Sequence, residues 1–255
     1  MMDYKQPLVS VIMPAYNAGR FLEEAVRSVM AQTVTDWELL ILDDGSKDNT
    51  AEIAAKLAAE DKRIRFLPNE KNMGVAKTRN RGFDLCCGQY IALLDSDDVW
   101  LPEKLEKQLA LAKTTGADIL YCSYGIIDSQ SNRSRADYTV PNQVRFQDML
   151  RENSIGCSTV MLRRSVVEQY RFVEDFYHED YVLWLQLMQD GRRAAGCTEV
   201  LVQWRLLENS RSFDKRKSAK NRWLIYRKYL KMSVWKSGWY FACYAAAGVK
   251  KYLSC

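Results

Sequence analysis

Three carboxylates and a hydroxyl occupy the four consecutive positions Asp95–Asp98, a spacing that suits a metal ion. They follow the apolar run Tyr90–Leu94 and precede a predicted helix start at Pro102. A parallel strand delivers the residues behind it to the carboxyl end of a sheet, where open α/β folds bind their ligands. Carboxylate oxygens suit Mg²⁺ or Mn²⁺, which take further ligands from substrate phosphates. The pattern therefore predicts a diphosphate substrate, with a solvated turn and an aspartate helix cap as the alternative.

The elements that must position this loop alternate along the first half of the chain. Buried apolar runs predict strands at 9–13, 38–42, 64–67, 90–94 and 118–122, and helical spacing predicts helices at 20–31, 50–59, 75–85 and 102–113. This alternation indicates right-handed βαβ units and a parallel sheet. The region 123–153 has polar clusters without a steady period, so we interpret it as loops with an inserted element. A further strand is predicted at 200–205.

Four polar segments fall at the carboxyl ends of these strands and should line one edge of the sheet. Tyr16 could support a planar base, and Asp43 or Asp44 could accept from a pyrimidine N–H or ribose hydroxyls. Arg79 could pair with phosphate. Each segment alone is explained equally well as a turn or a solvated residue, but their shared order points to a nucleotide site. The segments are Pro14–Asn17, Asp43–Ser46, Asn72–Gly74 with Arg79–Asn80, and Asp95–Asp98.

The composition limits the class of protein. With 255 residues of which 47% are hydrophobic, the chain suits one large domain. Seven cysteines without a Cys-x-x-Cys pair indicate a reducing cytosol, not a disulfide framework. His178 is the sole histidine, which excludes a His-rich zinc site. The first residues contain no apolar signal segment, and the apolar stretch 238–249 is too short to span a bilayer. We therefore expect a cytoplasmic protein.

The basic character of the chain comes from its last segment. Residues 215–255 carry eleven Lys or Arg and no Asp or Glu, while the remainder holds 26 basic against 32 acidic groups. Aromatic residues interleave with these charges from Trp223 to Tyr244, which suits a membrane interface, and we expect no nucleic-acid partner. The prediction is peripheral contact with the cytoplasmic face of a membrane through 215–255, with helices from Trp223 to Lys251. The alternative is a helix that packs its aromatics on the core.

In order and content, these motifs resemble the family 2 glycosyltransferases, the inverting enzymes with the GT-A fold. The resemblance extends from about Leu8 to at least Leu187. The segments that carry it are VSVIMPAYN at 9–17, Ser28-Val29 with Gln32-Thr33, Asp43–Ser46, Asn72-x-Gly74 with Ala76 and Arg79-Asn80, Gly88-x-Tyr90-Ile91, Asp95–Asp98, and His178–Tyr181 with Leu183–Leu185.

The resemblance implies an α/β architecture, in which a mixed nucleotide-binding sheet is flanked by helices. Residues 1–214 would form the catalytic domain, with a nucleotide-sugar half at about 1–120 and an acceptor half at about 121–214. Residues 215–255 would form a basic, aromatic helical tail.

The resemblance also assigns roles to the acidic motifs. In that family an Asp-x-Asp element binds a divalent cation on the nucleotide diphosphate, which maps Mn²⁺ or Mg²⁺ onto Asp95 and Asp97. The second acid of a Glu-Asp motif acts as base, which makes Asp180 catalytic together with Glu179. A charged first turn of a helix is the alternative for that pair.

The remaining assignments concern the two substrates. His178 and Trp184 are placed on the acceptor side. Arg205, followed by the loop Asn209–Ser212, could close over the diphosphate or be a strand-end charge. The residues expected to bind the nucleotide sugar are Pro14, Tyr16, Asn17, Asp43, Asp44, Arg79, Asp95, Ser96 and Arg205.

The implied reaction is a single displacement at the anomeric carbon. It would move one sugar from a nucleoside-diphosphate sugar, with UDP favoured, to a hydroxyl of a lipid-linked glycan in bacterial surface-polysaccharide assembly. Transfer of one sugar is expected because the Gln-x-x-Arg-Trp motif of processive synthases is missing.

Three other functions compete with this one. A sugar nucleotidyltransferase would need a basic Gly-rich loop where this chain has Pro14–Asn17. A dinucleotide dehydrogenase would need Gly-x-Gly-x-x-Gly, and Gly19 stands alone there. A catalytically weak nucleotide-sugar-binding or scaffold protein would keep the fold without the chemistry.

Overall fold

A nine-stranded mixed sheet organises the part of the chain that this computed structural model describes, residues 6–207 and 214–253. Its central strands are buried on both faces, as the continuous apolar runs of the sequence require. The strands are β1 Val9–Ala15, β2 Trp37–Asp43, β3 Ile64–Phe66, β4 Tyr90–Leu93, β5 Val99–Trp100, β6 Ile119–Ile127, β7 Arg133–Tyr138, β8 Met161–Arg163 and β9 Ala194–Arg205.

Helices cover the sheet and extend the chain beyond it. The first of them buries Leu22, Ala25, Val26 and Val29 at helical spacing against the sheet. The helices are α1 Leu22–Met30, α2 Thr50–Glu60, α3 Val75–Leu85, α4 Lys104–Thr115, α5 Phe146–Arg151, α6 Arg164–Val167, α7 Glu179–Gln189, α8 Lys215–Leu224 and α9 Val234–Leu253, with a 3₁₀ turn at Cys157–Thr159 and a π-helical turn at Ile225–Tyr229.

The strand order brings several strand ends to one edge of the sheet. The order is β3-β2-β1-β4-β8-β6-β9-β5, and β7 pairs with β6. Strands β3, β2, β1 and β4 are parallel, β8 is antiparallel to both β4 and β6, and β9 is parallel to β6. The carboxyl ends of β1, β2 and β4 therefore share an edge, which confirms the predicted βαβ arrangement.

The region expected to be loops, 123–153, contains more regular structure than the sequence indicated. It holds the end of β6, all of β7 and the short helix α5. Five of the six side chains of β7 are exposed, because it lies beside β6 at the margin of the sheet. An exposed strand has no apolar alternation to reveal it, which is the physical reason for the difference.

The predicted helical tail packs on the domain through its first part. Ile225 and Tyr226 are fully buried in the same core as Trp184, and the Tyr226 hydroxyl donates to the carbonyl of Leu150. The boundary placed between 214 and 215 thus separates elements that share one core. Over the described ranges, none of the helices has both the length and the hydropathy that crossing a membrane requires.

Candidate active site

A cleft of about 560 Å³ opens at the carboxyl ends of β1 and β2. Its walls are Pro14–Tyr16 at the end of β1, Asp44 after β2, Asn72–Ala76 with Thr78 at the start of α3, and Glu174, Phe176 and Glu179 around the start of α7. Tyr16 is 48% exposed and lines the cleft, so a ligand can reach its side chain. A cleft of this volume, with apolar walls and a few polar groups, is typical of small-molecule sites.

The Asp44 carboxylate holds one wall of the cleft in place. One oxygen accepts from the backbone N–H of Met73 at 2.8 Å and from the Asn69 amide at 2.8 Å, and the other accepts from the N–H of Gly74 at 2.9 Å. Gly74 has a φ of 86°, a conformation that glycine adopts at little cost. Asp44 therefore fixes the loop that leads into α3, while also lining the cleft.

Asn17 and Asp43 join the loops that follow β1 and β2. Asn17 donates its N–H to the Ser46 hydroxyl and accepts from the N–H of Lys47, both at 2.9 Å. Asp43 is buried and accepts from the N–H of Ser46 at 3.1 Å. These contacts give both side chains a structural role beside the nucleotide contacts expected of them.

Arg79 links two acidic groups that lie on different elements. Its guanidinium donates to Asp95 Oδ1 and to Glu179 Oε1, each at 2.6 Å, and its side chain is only 5% exposed. The Phe172 ring lies 5.4 Å from the guanidinium carbon. The sequence suggested a phosphate partner for Arg79, but the structure gives it two carboxylates, as a buried charge requires. Arg79 thereby fixes the Asp-rich loop relative to the start of α7.

Asp180 is a partly buried acid in the first turn of α7, beside this ion-paired cluster. Burial, followed by repulsion from Glu179, raises the pKa of Asp180 to about 6, while Arg79 acts in the opposite direction. An acid with a pKa just below neutral is mostly ionised at pH 7 yet binds a proton more strongly than an exposed aspartate. That is the property a general base needs.

The loop after β4 contains one aspartate that serves the fold. Asp98 is 1% exposed and accepts from the Ser158 hydroxyl at 2.5 Å and from the N–H of Arg205 at 2.8 Å. Burial and the nearby Asp97 carboxylate raise the pKa of Asp98 well above its ordinary value. Ser158 also accepts from the N–H of Asp95 at 3.1 Å. Asp98 and Ser158 together set the shape of the loop.

The other two aspartates of the loop form an oxygen donor pair. Over the described residues, no group of three or more His, Cys, Asp or Glu side chains is arranged to hold a metal by itself. Burial and the neighbouring Asp95 raise the pKa of Asp97 to about 6, so a cation at this position would relieve repulsion. Mg²⁺ commonly binds through one or two carboxylates plus substrate phosphates. The pair therefore fits a hard ion shared with a diphosphate, and partly buried Ser96 spaces its two members.

Arg205 does not have the position of a phosphate contact, which corrects that prediction. It is 1% exposed, and its three guanidinium nitrogens donate to the carbonyls of Asp97 and Asp128 and to the Glu24 carboxylate at 2.6–2.9 Å. These bonds fix the backbone of the Asp-rich loop from behind. The companion loop Asn209–Ser212 lies outside the described residues.

The acceptor-side assignments also change. Trp184 has no exposed surface and packs edge-on against Phe172, so the prediction that it contacts the acceptor is wrong. It faces the core because α7 is buried along most of its length. His178 Nε2 lies 3.2 Å from the Ser218 hydroxyl on α8, so its imidazole contacts the tail.

Sequence reasoning missed several residues of the site. Ser158 shapes the Asp-rich loop, Phe172 lies against Arg79, and Phe176 lines the cleft. For Ser158 a signal existed, since the small residues 156–159 precede the apolar run 160–162. The phenylalanines had none, because each reaches the site only through the tertiary fold.

Comparison with known proteins identifies the family. The model of Glycosyl transferase family 2 matches residues 10–171. The Bacillus subtilis (strain 168) putative teichuronic acid biosynthesis glycosyltransferase TuaG is 36% identical over 97% of this chain and 98% of its own length. The Escherichia coli UDP-Glc:alpha-D-GlcNAc-diphosphoundecaprenol beta-1,3-glucosyltransferase WfgD is 35% identical over 99% of this chain and 96% of its own.

Solved structures share the fold. TarS 1–349 of S. aureus, in complex with UDP-GlcNAc, superposes with a TM-score of 0.71 at 21% identity, covering 86% of this chain and 64% of that one. The mannosyltransferase PcManGT of Pyrobaculum calidifontis, in complex with GDP-Man and Mn²⁺, superposes with a TM-score of 0.72 at 15% identity, covering 99% and 77%. The GT-A fold is thus confirmed. From the family match and from relatives identical at more than a third of positions, the chain belongs to glycosyl transferase family 2.

Proposed function

We propose that this glycosyltransferase moves one sugar, with inversion, from a UDP-sugar to a hydroxyl of a lipid-linked glycan during cell-surface polysaccharide biosynthesis. The observation that carries the proposal is the Arg79 bridge at the cleft. It holds Asp95, on the predicted metal side, and Glu179, next to the predicted base, through bonds of 2.6 Å each. Glu179 lines the cleft, and the Arg79 bridge connects it to the Asp-rich loop, so the groups proposed for the two halves of a displacement reaction are linked beside one cavity.

Relatives support the choice of substrates. The name of WfgD specifies UDP-Glc as donor and a GlcNAc-diphosphoundecaprenol acceptor, and the S. aureus TarS structure contains UDP-GlcNAc. The exposed ring of Tyr16 beside the cleft suits stacking on a uracil base. We therefore favour UDP over GDP, which the more distant PcManGT contains.

Asp95 and Asp97 would hold Mn²⁺ or Mg²⁺, which when bound supplies neutralisation of the charge growing on the departing diphosphate. The protein residues do the remaining work. Asp180 takes the proton from the acceptor hydroxyl as that oxygen attacks the anomeric carbon from the opposite side. Its pKa of about 6 keeps it ionised at neutral pH. Glu179, which lines the cleft, would act with Asp180, and Arg79 would hold Glu179 in place.

We further propose that the enzyme is cytoplasmic and peripheral on the membrane, with residues 215–255 as the contact. A lipid-linked acceptor requires the cleft to work at a membrane surface. The segment contains eleven basic residues and no acidic one, which favours anionic lipid.

The test is an assay with purified chain, a polyprenyl-diphosphate-linked GlcNAc acceptor and a panel of UDP-, GDP- and dTDP-sugars, with Mn²⁺, Mg²⁺ or chelator. We expect product with a UDP-sugar and metal, and an anomeric configuration opposite to that of the donor by nuclear magnetic resonance. Asp97→Ala should abolish metal-dependent turnover. The matched control, Asp84→Ala, changes an exposed aspartate of α3 and should be as active as the wild type.

Two outcomes would count against the proposal. Product that keeps the donor configuration would overturn the inverting mechanism, and full activity of Asp97→Ala would overturn the metal assignment. Donor binding without transfer or hydrolysis for any sugar of the panel would favour a catalytically weak binding protein.

A further inference from the structure

The outward face of α9 is apolar, contrary to what a helix facing water requires. Trp235 is 90% exposed and Trp239 is 66% exposed, and Val234 at the start of the helix is 57% exposed. Ala242 and Ala246, also exposed, continue the same stripe at intervals of three and four residues. We call Trp235, Trp239, Ala242 and Ala246 the tryptophan face. Two large exposed indoles side by side mark an interaction surface.

The opposite face of α9 is already used by the domain. Tyr240 and Phe241 pack on the main core, with ring centroids 6.4 Å from Tyr226 and 5.9 Å from Trp223. Arg222 lies 4.5 Å from the Tyr244 ring. These contacts fix the rotation of the helix, so it cannot turn its tryptophans inward without losing them. The tryptophan face is therefore available only to another partner.

Charge identifies the kind of partner. Lys231 and Lys236, which flank the first tryptophan in sequence, are exposed, and the segment 215–255 has no acidic residue. A second copy of the chain, docked face to face, would bring two such basic segments together, which like-charge repulsion opposes. An anionic surface with an apolar layer beneath it satisfies both the lysines and the indoles.

We propose that the tryptophan face docks the enzyme on anionic phospholipid, with the two indoles at the headgroup level and Lys231 and Lys236 beside lipid phosphates. Indole rings favour this depth because one edge is polar and the body apolar. This proposal specifies which part of the tail would contact the membrane. It rests on the proposed function only in its explanation of why the enzyme would bind a membrane. The same tail contacts the cleft, since Tyr229 lies 5.7 Å from Phe176. Docking thus holds the cleft beside the membrane.

The test is flotation of the full chain with vesicles of phosphatidylcholine alone or mixed with phosphatidylglycerol, without donor or acceptor. The wild type should bind the anionic vesicles and be released as salt rises. Trp235→Ser with Trp239→Ser should lower partitioning at least about tenfold. Lys231→Gln and Lys236→Gln should each lower partitioning onto the anionic vesicles about fivefold. The matched control, Lys56→Gln with Lys62→Gln, removes two exposed lysines that are distant in sequence from α9. It should bind the anionic vesicles like the wild type.

Light scattering and thermal melting complete the test. All variants should melt like the wild type, because the substituted side chains are exposed. Equal vesicle binding by the wild type and the double tryptophan variant would overturn the proposal. So would a dimer that the tryptophan changes convert to a monomer, which would identify a self-interface. Since no substrate is present, either result is independent of whether the transferase reaction is correct.

Discussion

At the scale of single residues, the site depends on how Asp180 is surrounded. Its carboxylate begins a buried helix and lies near Glu179 and Arg79. Burial and Glu179 disfavour its ionised form, and Arg79 compensates only in part, so its pKa is raised to about 6. The protein thus keeps an acid whose charge costs stability at neutral pH, which is typical of catalytic groups.

Asp180→Asn should reduce transfer by about 10²–10⁴-fold, because the amide cannot accept the proton. The wild-type rate should rise with pH through about 6 and then level, since the active form is the carboxylate. The pKa is higher in the folded chain, so the contribution of Asp180 to stability is present in acid and is lost as pH rises through 6. The variant should therefore melt no lower than the wild type at pH 7.5.

Pre-steady-state rates, donor titration and melting curves would check these expectations. The matched control is Asp190→Asn, which changes an exposed aspartate at the other end of α7 and should keep the wild-type rate and pH profile. A donor affinity that fell as much as the rate would instead indicate that Asp180 serves the structure.

At the scale of elements, the sequence predicted most of the sheet but not the partners of its polar side chains. The first four strands and first four helices were predicted within two residues of each end, because each strand carries a buried apolar run and each helix carries residues at helical spacing. Exposed β7 carries none. Arg79 is hydrogen-bonded to Glu179, 100 positions away in the sequence, and Arg205 to the carbonyl of Asp97, 108 positions away. Contacts at that separation depend on the whole fold, so local pattern could not assign these arginines.

The loop before α3 offers a prediction at this scale. Asp44→Asn leaves one acceptor oxygen where two now bind the N–H groups of Met73 and Gly74. These N–H groups are partly buried, so leaving one without a partner should cost up to about 1–3 kcal/mol, and the melting temperature should fall. Donor affinity should fall with it, because this loop lines the cleft.

Melting curves and UDP-sugar titration measure both effects. Lys71→Ala, in the same loop but exposed, should change neither. If Asp44→Asn bound a UDP-sugar more weakly but melted like the wild type, Asp44 would contact the nucleotide directly instead of stabilising the loop.

At the scale of the whole molecule, the two halves of the tail differ in burial: the first half is largely packed on the domain, and α9 exposes two tryptophans. Before α9, Ile225, Tyr226 and Arg222 are buried, and the Arg222 guanidinium lies 3.7 Å from the Tyr181 ring on α7. The N–H of Tyr177, just before α7, donates to the Asn221 side chain at 2.9 Å. This part of the tail therefore braces the helix that carries the predicted base, while α9 presents the tryptophan face.

Two shortened chains should separate these functions. A chain ending at Asp214 loses buried Ile225 and Tyr226, worth roughly 1.5–3 kcal/mol each, and uncovers the ring of Tyr181, so it should melt far lower or fail to fold. A chain ending at Ser233 keeps Ile225 and Tyr226 and loses α9, whose Tyr240 ring contacts Tyr226, so it should melt below the wild type but above the chain ending at Asp214. It should fold, bind a UDP-sugar and remain in the supernatant with anionic vesicles. Melting, donor titration and flotation of both chains beside the wild type give the comparison. If the chain ending at Asp214 melted and bound donor like the wild type, the contacts between the tail and α7 would contribute nothing to stability.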